Sequence, residues 1–169
     1  RPADGSATCS GSTDDNGNTI PTLKRLELTV TGSGAGASAA FSVVPLVEGI
    51  QNLQLDYGVD YAGPSSILDG APDCYVSDPT TPTTSEIGAC PASAATYFAA
   101  NNAITNWSNV MAIRVNLLAR NNEQSFDYTD AKTYNLGLAG STTAANDHYK
   151  RHAFTELVRA VNPSSRRSK

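Results

Sequence analysis

The sequence predicts a domain built on an antiparallel β-sheet that carries long loops. One observation is a run near the middle, Met111 to Ala119, whose apolar residues recur at every second position. A second is a pair of alternating runs, residues 23–31 and 37–44, joined by a Gly-rich connection. The third is the stretch 59–105, which has little periodicity and many Pro residues. Hairpins and long loops of this kind are typical of antiparallel sheets.

The middle run, within residues 107–120, is predicted to be the central strand. The residues on its apolar face, which we expect to be buried, are Met111, Ile113, Val115, Leu117 and Ala119. A helix is the alternative, with an apolar stripe formed by Val110, Ile113, Leu117 and Leu118. The β-branched residues and the flanking Asn residues favour the strand. Burial of four such side chains contributes roughly 1.5–3 kcal/mol each, which makes this strand a large part of the core.

Length and composition indicate a single domain. The 169 residues, of which 40% are apolar, are enough for one core and too few to argue for two domains. We place this domain at residues 23–162. Residues 1–22 are polar and lack periodicity, so we expect a flexible N-terminal loop there and a polar C-terminal tail at residues 163–169.

The charge balance disfavours nucleic acid as a partner. Twelve Lys and Arg residues stand against sixteen Asp and Glu residues, for a formal net charge of −4. Basic residues crowd near the C-terminus, where a solvated strand edge and tail explain them more simply than a polyanion site. No segment approaches the ~18 consecutive apolar residues of a membrane-spanning helix, and no signal peptide opens the sequence.

The N-terminal third is predicted to contain a hairpin followed by a short helix or turn and another strand. Residues 31–36 join the two alternating runs, and a phosphate-binding loop is rejected there because a strand follows the glycines. In residues 45–53 the apolar side chains Leu46, Ile50 and Leu53 follow a helical spacing for barely two turns. Alternation then resumes as a strand that ends at Gly58.

The long insertion at residues 59–105 is expected to be held by a disulfide. Three cysteines allow at most one intramolecular pair. Cys74 and Cys90 flank a polar loop that cannot bury itself, and closing such a loop stabilises by about 3 kcal/mol in the chain-entropy model. We predict a Cys74–Cys90 disulfide and an extracytoplasmic location. Three separate thiols are the alternative, and the fate of Cys9 stays open.

Two further segments are predicted after the central strand. Residues 132–138 are expected to form a short edge strand around Tyr134, Leu136 and Leu138. Residues 149–161 have an imperfect strand pattern, but Ala153, Leu157 and Val161 recur at every fourth residue, so a helix competes. Pro163 ends either element.

No set of residues in the sequence argues for catalysis. His148 and His152 have the spacing of metal ligands on a helix, but the protease motif and a third ligand are absent, so surface histidines are preferred. No nucleophile motif of a hydrolase occurs. We expect no catalytic residues and no organic cofactor.

The best candidate for an ion site is a group of loop aspartates. Asp56, Asp60, Asp69 and Asp73 lie around Gly58 and Gly70, where a strand runs into the long loop. Carboxylate oxygens suit Ca²⁺, although the spacing does not follow the EF-hand pattern. Solvated loop acids are the alternative to a calcium site.

Three sequence blocks carry a resemblance to a known family. They are Val47 to Asp60, which contains Tyr-Gly-Val-Asp, Trp107 to Arg120, which opens with Trp-x-x-Val, and Tyr149 to Phe154. In this order they resemble the PilW family of type IV pilus minor pilins, over about residues 40–162. The resemblance implies a pilin-like α+β fold, in which a long N-terminal helix, truncated here, packs on an antiparallel sheet.

The resemblance also implies a role. Members prime pilus assembly together with other minor pilins and the major pilin, near the filament tip and without catalysis. The family's apolar anchoring helix is not among these residues, so we expect Arg1 to lie just after it or in its soluble half. The full-length protein would then be anchored in the inner membrane before assembly and would enter the pilus afterwards.

Two alternative functions stay open at this point. A minor pseudopilin of a type II secretion system would share the same architecture. An adhesive or DNA-binding module at the pilus tip would instead use the long loop or the basic C-terminus.

Overall fold

A computed structural model describes residues 20–61 and 68–160 of the chain. The strands in these residues are β1 (Thr22–Thr31), β2 (Ser38–Glu48), β3 (Ile50–Val59), β4 (Cys74–Val76), β5 (Val110–Arg120) and β6 (Arg151–Arg159). The α-helices are α1 (Thr84–Gly88), α2 (Ser93–Ala100) and α3 (Ala103–Ser108). No helix in the described part is long and apolar enough to cross a membrane. Cys9, most of the predicted N-terminal loop and the predicted C-terminal tail lie outside the described residues.

The strands form two antiparallel sheets, which confirms the predicted α+β class. β1 pairs with β2, and the other sheet has the order β4-β3-β5-β6. Hydrogen bonds near the two ends of β5 and β6 show that these strands are antiparallel. Asn121 N–H donates to Lys150 O (2.9 Å) at one end, and Ala160 N–H donates to Met111 O (2.8 Å) at the other.

The chain is organised in two compact units. The described residues of unit 1 are 20–52, 119–131 and 145–152, and those of unit 2 are 53–61, 68–118, 132–144 and 153–160. Unit 1 contains the β1–β2 hairpin, and unit 2 contains the three α-helices. The single domain at residues 23–162 stays a prediction.

The predicted hairpin is confirmed, but the short helix or turn predicted at residues 45–53 is wrong. β2 continues through Pro45 to Glu48, and β3 begins at Ile50. The register of the hairpin shifts between Leu23 and Lys24, and Pro45 is the partner of Lys24. Proline is tolerated in a strand at such an irregularity, because the regular ladder is interrupted there.

The insertion at residues 59–105 is less irregular than predicted, since it contains β4, α1, α2 and the start of α3. α1 begins with a capping box, in which Thr83 Oγ1 accepts from Glu86 N–H and the Glu86 carboxylate accepts from Thr83 N–H. Asn102 caps α3 in the same region. The predicted Cys74–Cys90 disulfide is confirmed.

The core of unit 2 lies against the β3–β4 pair. Its buried members are Val59, Tyr61, Cys74, Val76, Ala94 and Val110. Tyr97 and Phe98 of α2 pack against it, and the rings of Tyr61 and Tyr97 stack with centroids 5.0 Å apart. Helix α2 therefore closes the core on this side of the sheet.

The last two predicted segments have different outcomes. Residues 151–159 form strand β6, so the strand interpretation is confirmed and the helix is excluded. The edge strand predicted at residues 132–138 is wrong. This segment has one isolated bridge, between Asn135 and Ser141, and a 3₁₀ turn at Gly137–Ala139. Gly137 and Gly140, both at positive φ, favour the turn over an extended strand.

The central strand is confirmed at Val110–Arg120, whereas Trp107 and Ser108 belong to α3. Its burial differs from the prediction. Met111 is buried, but Ile113, Val115 and Leu117 are only half-buried. On the opposite face, Asn116 and Leu118 are buried.

Candidate functional site

A buried polar centre occupies one face of the sheet in unit 2. Asp56 of β3, Asn116 of β5 and Thr155 of β6 are linked by hydrogen bonds across the three strands. Asn116 Nδ2 donates to Asp56 Oδ2 (3.1 Å), and Thr155 Oγ1 donates to Asn116 Oδ1 (3.1 Å). These contacts place the three side chains on the same face of the sheet.

The 3₁₀ turn at Gly137–Ala139 covers this polar centre. Leu138 N–H donates to Asp56 Oδ1 (3.2 Å). Gly137 has φ +68°, and a Cβ at this position would overlap the Asp56 carboxylate and the Asn116 amide. Arg114 adds positive charge at 3.6 Å from Asp56 Oδ2. The buried carboxylate is thus compensated by donors and a cation, as a structural centre requires.

The opposite face of the same sheet is apolar and largely uncovered. Because side chains alternate along a strand, the residues next to the polar centre point to this other side. We call this surface the open face. Its apolar residues are Leu53, Leu55, Val115, Leu117, Phe154 and Val158, and the exposed Glu156 lies on it between the last two. Leu53 is 38% exposed and Val158 is 47% exposed, and Leu55, Val115 and Leu117 are half-buried.

The helices cover only one end of this face. Tyr57 and Ile113 pack against the core that α2 closes. Trp107 of α3 packs edge-on against Tyr57, with ring centroids 4.7 Å apart. Beyond these residues the apolar face of the sheet continues as the open face, where side chains stay accessible. Contiguous apolar surface of this kind marks an interaction site.

A family comparison fits this architecture. The family model described as type IV pilus-assembly protein W, PilW, matches residues 12–162, which is most of the chain. The chain belongs to the PilW family. It is therefore a protein of type IV pilus assembly, and the resemblance in the sequence blocks is confirmed. No curated protein and no solved structure gives a significant match.

The PilW-family chain exposes a second apolar surface in unit 1. The strand register places Leu26 opposite Val43, Leu28 opposite Phe41, and Val30 opposite Ala39. Leu26, Leu28, Val30 and Phe41 are all exposed. The hairpin thus has the predicted alternation, but its apolar side faces solvent.

Unit 1 also contains a buried ion-pair cluster centred on Arg151. The guanidinium donates to Asp130 Oδ2 (3.0 Å) and to both oxygens of Asp147 (2.6 Å each), and its Nε donates to Gln51 Oε1 (2.6 Å). The Arg151 and Asp130 side chains are almost completely buried. The hydrogen bond from Arg151 lowers the pKa of Asp147 to about 2. The cluster thus connects three segments of the chain, at Gln51, Asp130 and residues 147–151, and acts as a structural clamp.

The four aspartates predicted to bind calcium have separate structural partners. Asp56 belongs to the polar centre, Asp60 Oδ2 accepts from Gly70 N–H (2.8 Å), and Asp73 Oδ2 accepts from Tyr61 N–H (2.9 Å). Asp69 accepts from Ala71 N–H (2.9 Å). Across the described part of the chain, no group of three or more His, Cys, Asp or Glu side chains is placed to hold a metal ion. Calcium binding stays a prediction without support from this geometry.

The two histidines are both exposed. His148 Nδ1 lies 2.7 Å from Tyr128 O. Neither belongs to a cluster of metal ligands within the described residues. The surface position preferred from the sequence is confirmed for both side chains.

Sequence reasoning missed the polar centre. The sequence groups Asp56 with the loop aspartates of the predicted ion site, and Asn116 is not among the apolar residues that define the central strand. The available indication was an Asn in the middle of an otherwise apolar strand, which requires a hydrogen-bonding partner when it is buried. The sequence does not reveal that this partner lies 60 residues away.

Proposed function

We propose that this PilW-family chain is a structural minor pilin. In this proposal it helps to initiate type IV pilus assembly, sits near the filament tip with other minor pilins, and performs no catalysis. Family membership supports a role in pilus assembly. The open face supports the finer assignment, since a pilin sheet needs an apolar surface on which a helix can pack.

The open face has the chemistry that an apolar helix requires. It presents Leu, Val and Phe side chains from three adjacent strands, and its charged residue on β6 is the exposed Glu156. Full burial of such a side chain contributes roughly 1.5–3 kcal/mol, so completing the burial of half-exposed ones contributes about 1 kcal/mol each. Packing of a helix against these six residues would therefore contribute several kcal/mol of favourable free energy, before the entropy cost of ordering the helix is subtracted.

The proposed location follows from the same role. A minor pilin is anchored in the inner membrane with its globular part in the periplasm, and it moves into the filament during assembly. The Cys74–Cys90 disulfide is consistent with this oxidising environment. Other minor pilins and the major pilin are the proposed partners.

Deletion of the gene in the source organism tests this function. We expect surface filaments to be lost or strongly reduced by electron microscopy, and to return when the full-length gene is supplied on a plasmid. Normal filament numbers in the deletion strain would contradict the proposal. Normal filaments combined with a loss of protein secretion would instead favour a type II secretion pseudopilin.

A further inference from the structure

The two edges of the four-stranded sheet are protected to different degrees in unit 2. At one edge, β4 has only three residues. Directly after it, Ser77 N–H donates to the Glu86 carboxylate of α1 (2.9 Å). Short edge strands with satisfied main-chain groups resist pairing with other chains. The β4 edge is therefore protected.

The other edge is formed by β6, and within the described chain the sheet order ends there. Ala160 N–H donates to Met111 O. The main-chain N–H and C=O groups of even-numbered residues at this end of β6 are therefore directed towards β5. Because main-chain groups alternate along a strand, those of Thr155, Leu157 and Arg159 are directed away from β5. They form a row of donors and acceptors along the outer edge.

The outer half of β6 has fewer features that discourage pairing, since its two charged residues, Glu156 and Arg159, restrict the edge to a strand of complementary charge. β6 is nine residues long and contains neither Pro nor Lys. Its apolar side chains are accessible on both sides of the sheet, since Leu157 is 57% exposed and Val158, on the opposite side, is 47% exposed. A long accessible edge with apolar side chains is a template for an added strand.

We propose that residues 155–159 of β6 accept a β-strand from a neighbouring pilus subunit. This inference rests on the proposed function for the identity of the partner. The side chains define its chemistry, because residues directly opposite in a sheet contact each other. The added strand presents apolar residues opposite Leu157 and Val158, a basic residue opposite Glu156 and an acidic residue opposite Arg159.

The substitution Leu157→Pro tests main-chain pairing directly. It removes an N–H that points away from β5, so the bonds between β5 and β6 keep their donors, and proline is tolerated at such edge positions. Leu157→Ala is the matched control, since it shortens the same side chain but keeps the N–H. Both full-length variants are expressed in the deletion strain, and surface filaments per cell are counted.

We expect Leu157→Pro to reduce filaments at least about tenfold, and Leu157→Ala to stay within about twofold of wild type. Immunoblotting and thermal unfolding establish that each variant accumulates and folds. If Leu157→Pro does not fold, Arg159→Glu replaces it, with Arg25→Glu on the exposed hairpin as its control. The same loss is expected for Arg159→Glu, because it places like charges opposite each other.

The outcomes separate the two proposals. If the deletion strain is fully piliated, the proposed function fails. If that strain lacks filaments but folded Leu157→Pro or Arg159→Glu restores them to the wild-type number, strand addition at β6 is wrong and the minor pilin role stands.

Discussion

Arg151 is the cation at the centre of the buried ion-pair cluster in unit 1. Its guanidinium compensates the buried carboxylate of Asp130 at 3.0 Å. We expect Arg151→Ala to lower the free energy of unfolding by about 3–5 kcal/mol, because a buried charge is left without its partner. Urea titration of the purified protein measures this loss.

The control for that substitution is Arg25→Ala. Arg25 pairs with Glu27 on the exposed surface of the hairpin, and exposed pairs contribute only about 0–1 kcal/mol. Equal small losses for the two variants would show that the Arg151 cluster is not a stabilising clamp.

Asp147 makes the stability of this cluster depend on pH. Its hydrogen bond from Arg151 lowers the pKa from 3.8 to about 2 in the folded chain. A carboxyl group whose pKa is lower in the folded chain stabilises the fold when the pH is above its pKa in the unfolded chain. This stabilisation is lost as the pH falls through the folded-state pKa. We expect the stability advantage of wild type over Asp147→Asn to be constant above pH 5 and to vanish between about pH 4 and pH 2. Unfolding curves at several pH values test this, and a constant difference across that range would contradict it.

Single residues were the least predictable feature of this chain. In the sequence Asp56 lies near the end of a predicted strand, close to the loop acids that follow Gly58. Its donors, Asn116 and Leu138, lie 60 and 82 residues further along. Only the fold brings them together, so the sequence, which offered a calcium ligand or a solvated loop acid, did not indicate a buried structural carboxylate.

At the level of elements, the turn at Gly137–Ala139 is the least tolerant of substitution. A Cβ on Gly137 would overlap the polar centre, and its φ of +68° is unfavourable for other residues. We expect Gly137→Ala to lower the free energy of unfolding by about 2 kcal/mol or more.

Gly88→Ala provides the comparison within the same unit. Nothing lies within 4 Å of a Cβ added at Gly88, which ends α1. Its stability should be unchanged or higher by up to about 1 kcal/mol. Chemical denaturation measures both variants. A Gly137→Ala protein as stable as Gly88→Ala would mean that the turn does not cover the polar centre.

Long elements were predictable from their periodicity, and short elements were not. β1 and β5 have ten or more residues with alternating side chains, which is enough for a two-residue period to emerge. The alternation in β6 is imperfect, so a helix stayed an alternative there. The helices have five to eight residues, too few turns for a helical period. For α1 the local indication was the Thr83-x-x-Glu86 capping box, which predicts a helix start without any periodicity.

For the whole molecule, the sequence predicted an apolar face on the central strand and expected that face to be buried, but most of it is only half-buried. The covered side of β5 carries Asn116, whereas the apolar side of Val115 and Leu117 stays accessible. Alternation identifies two faces and does not show what packs on each. We propose that a pilin helix completes the sheet over the open face, and this is the central claim about this PilW-family protein.

Counting surface filaments on cells that carry Leu53→Asp tests this claim most directly. Leu53 lies on the open face and is 38% exposed, so an aspartate there is compatible with folding but opposes an apolar helix. Ile104→Asp is the control, because Ile104 is an apolar side chain on α3 that is 82% exposed and lies outside the open face. We expect full-length Leu53→Asp to leave the deletion strain without filaments and Ile104→Asp to restore them. Equal restoration by both variants, at equal protein levels, would contradict the account.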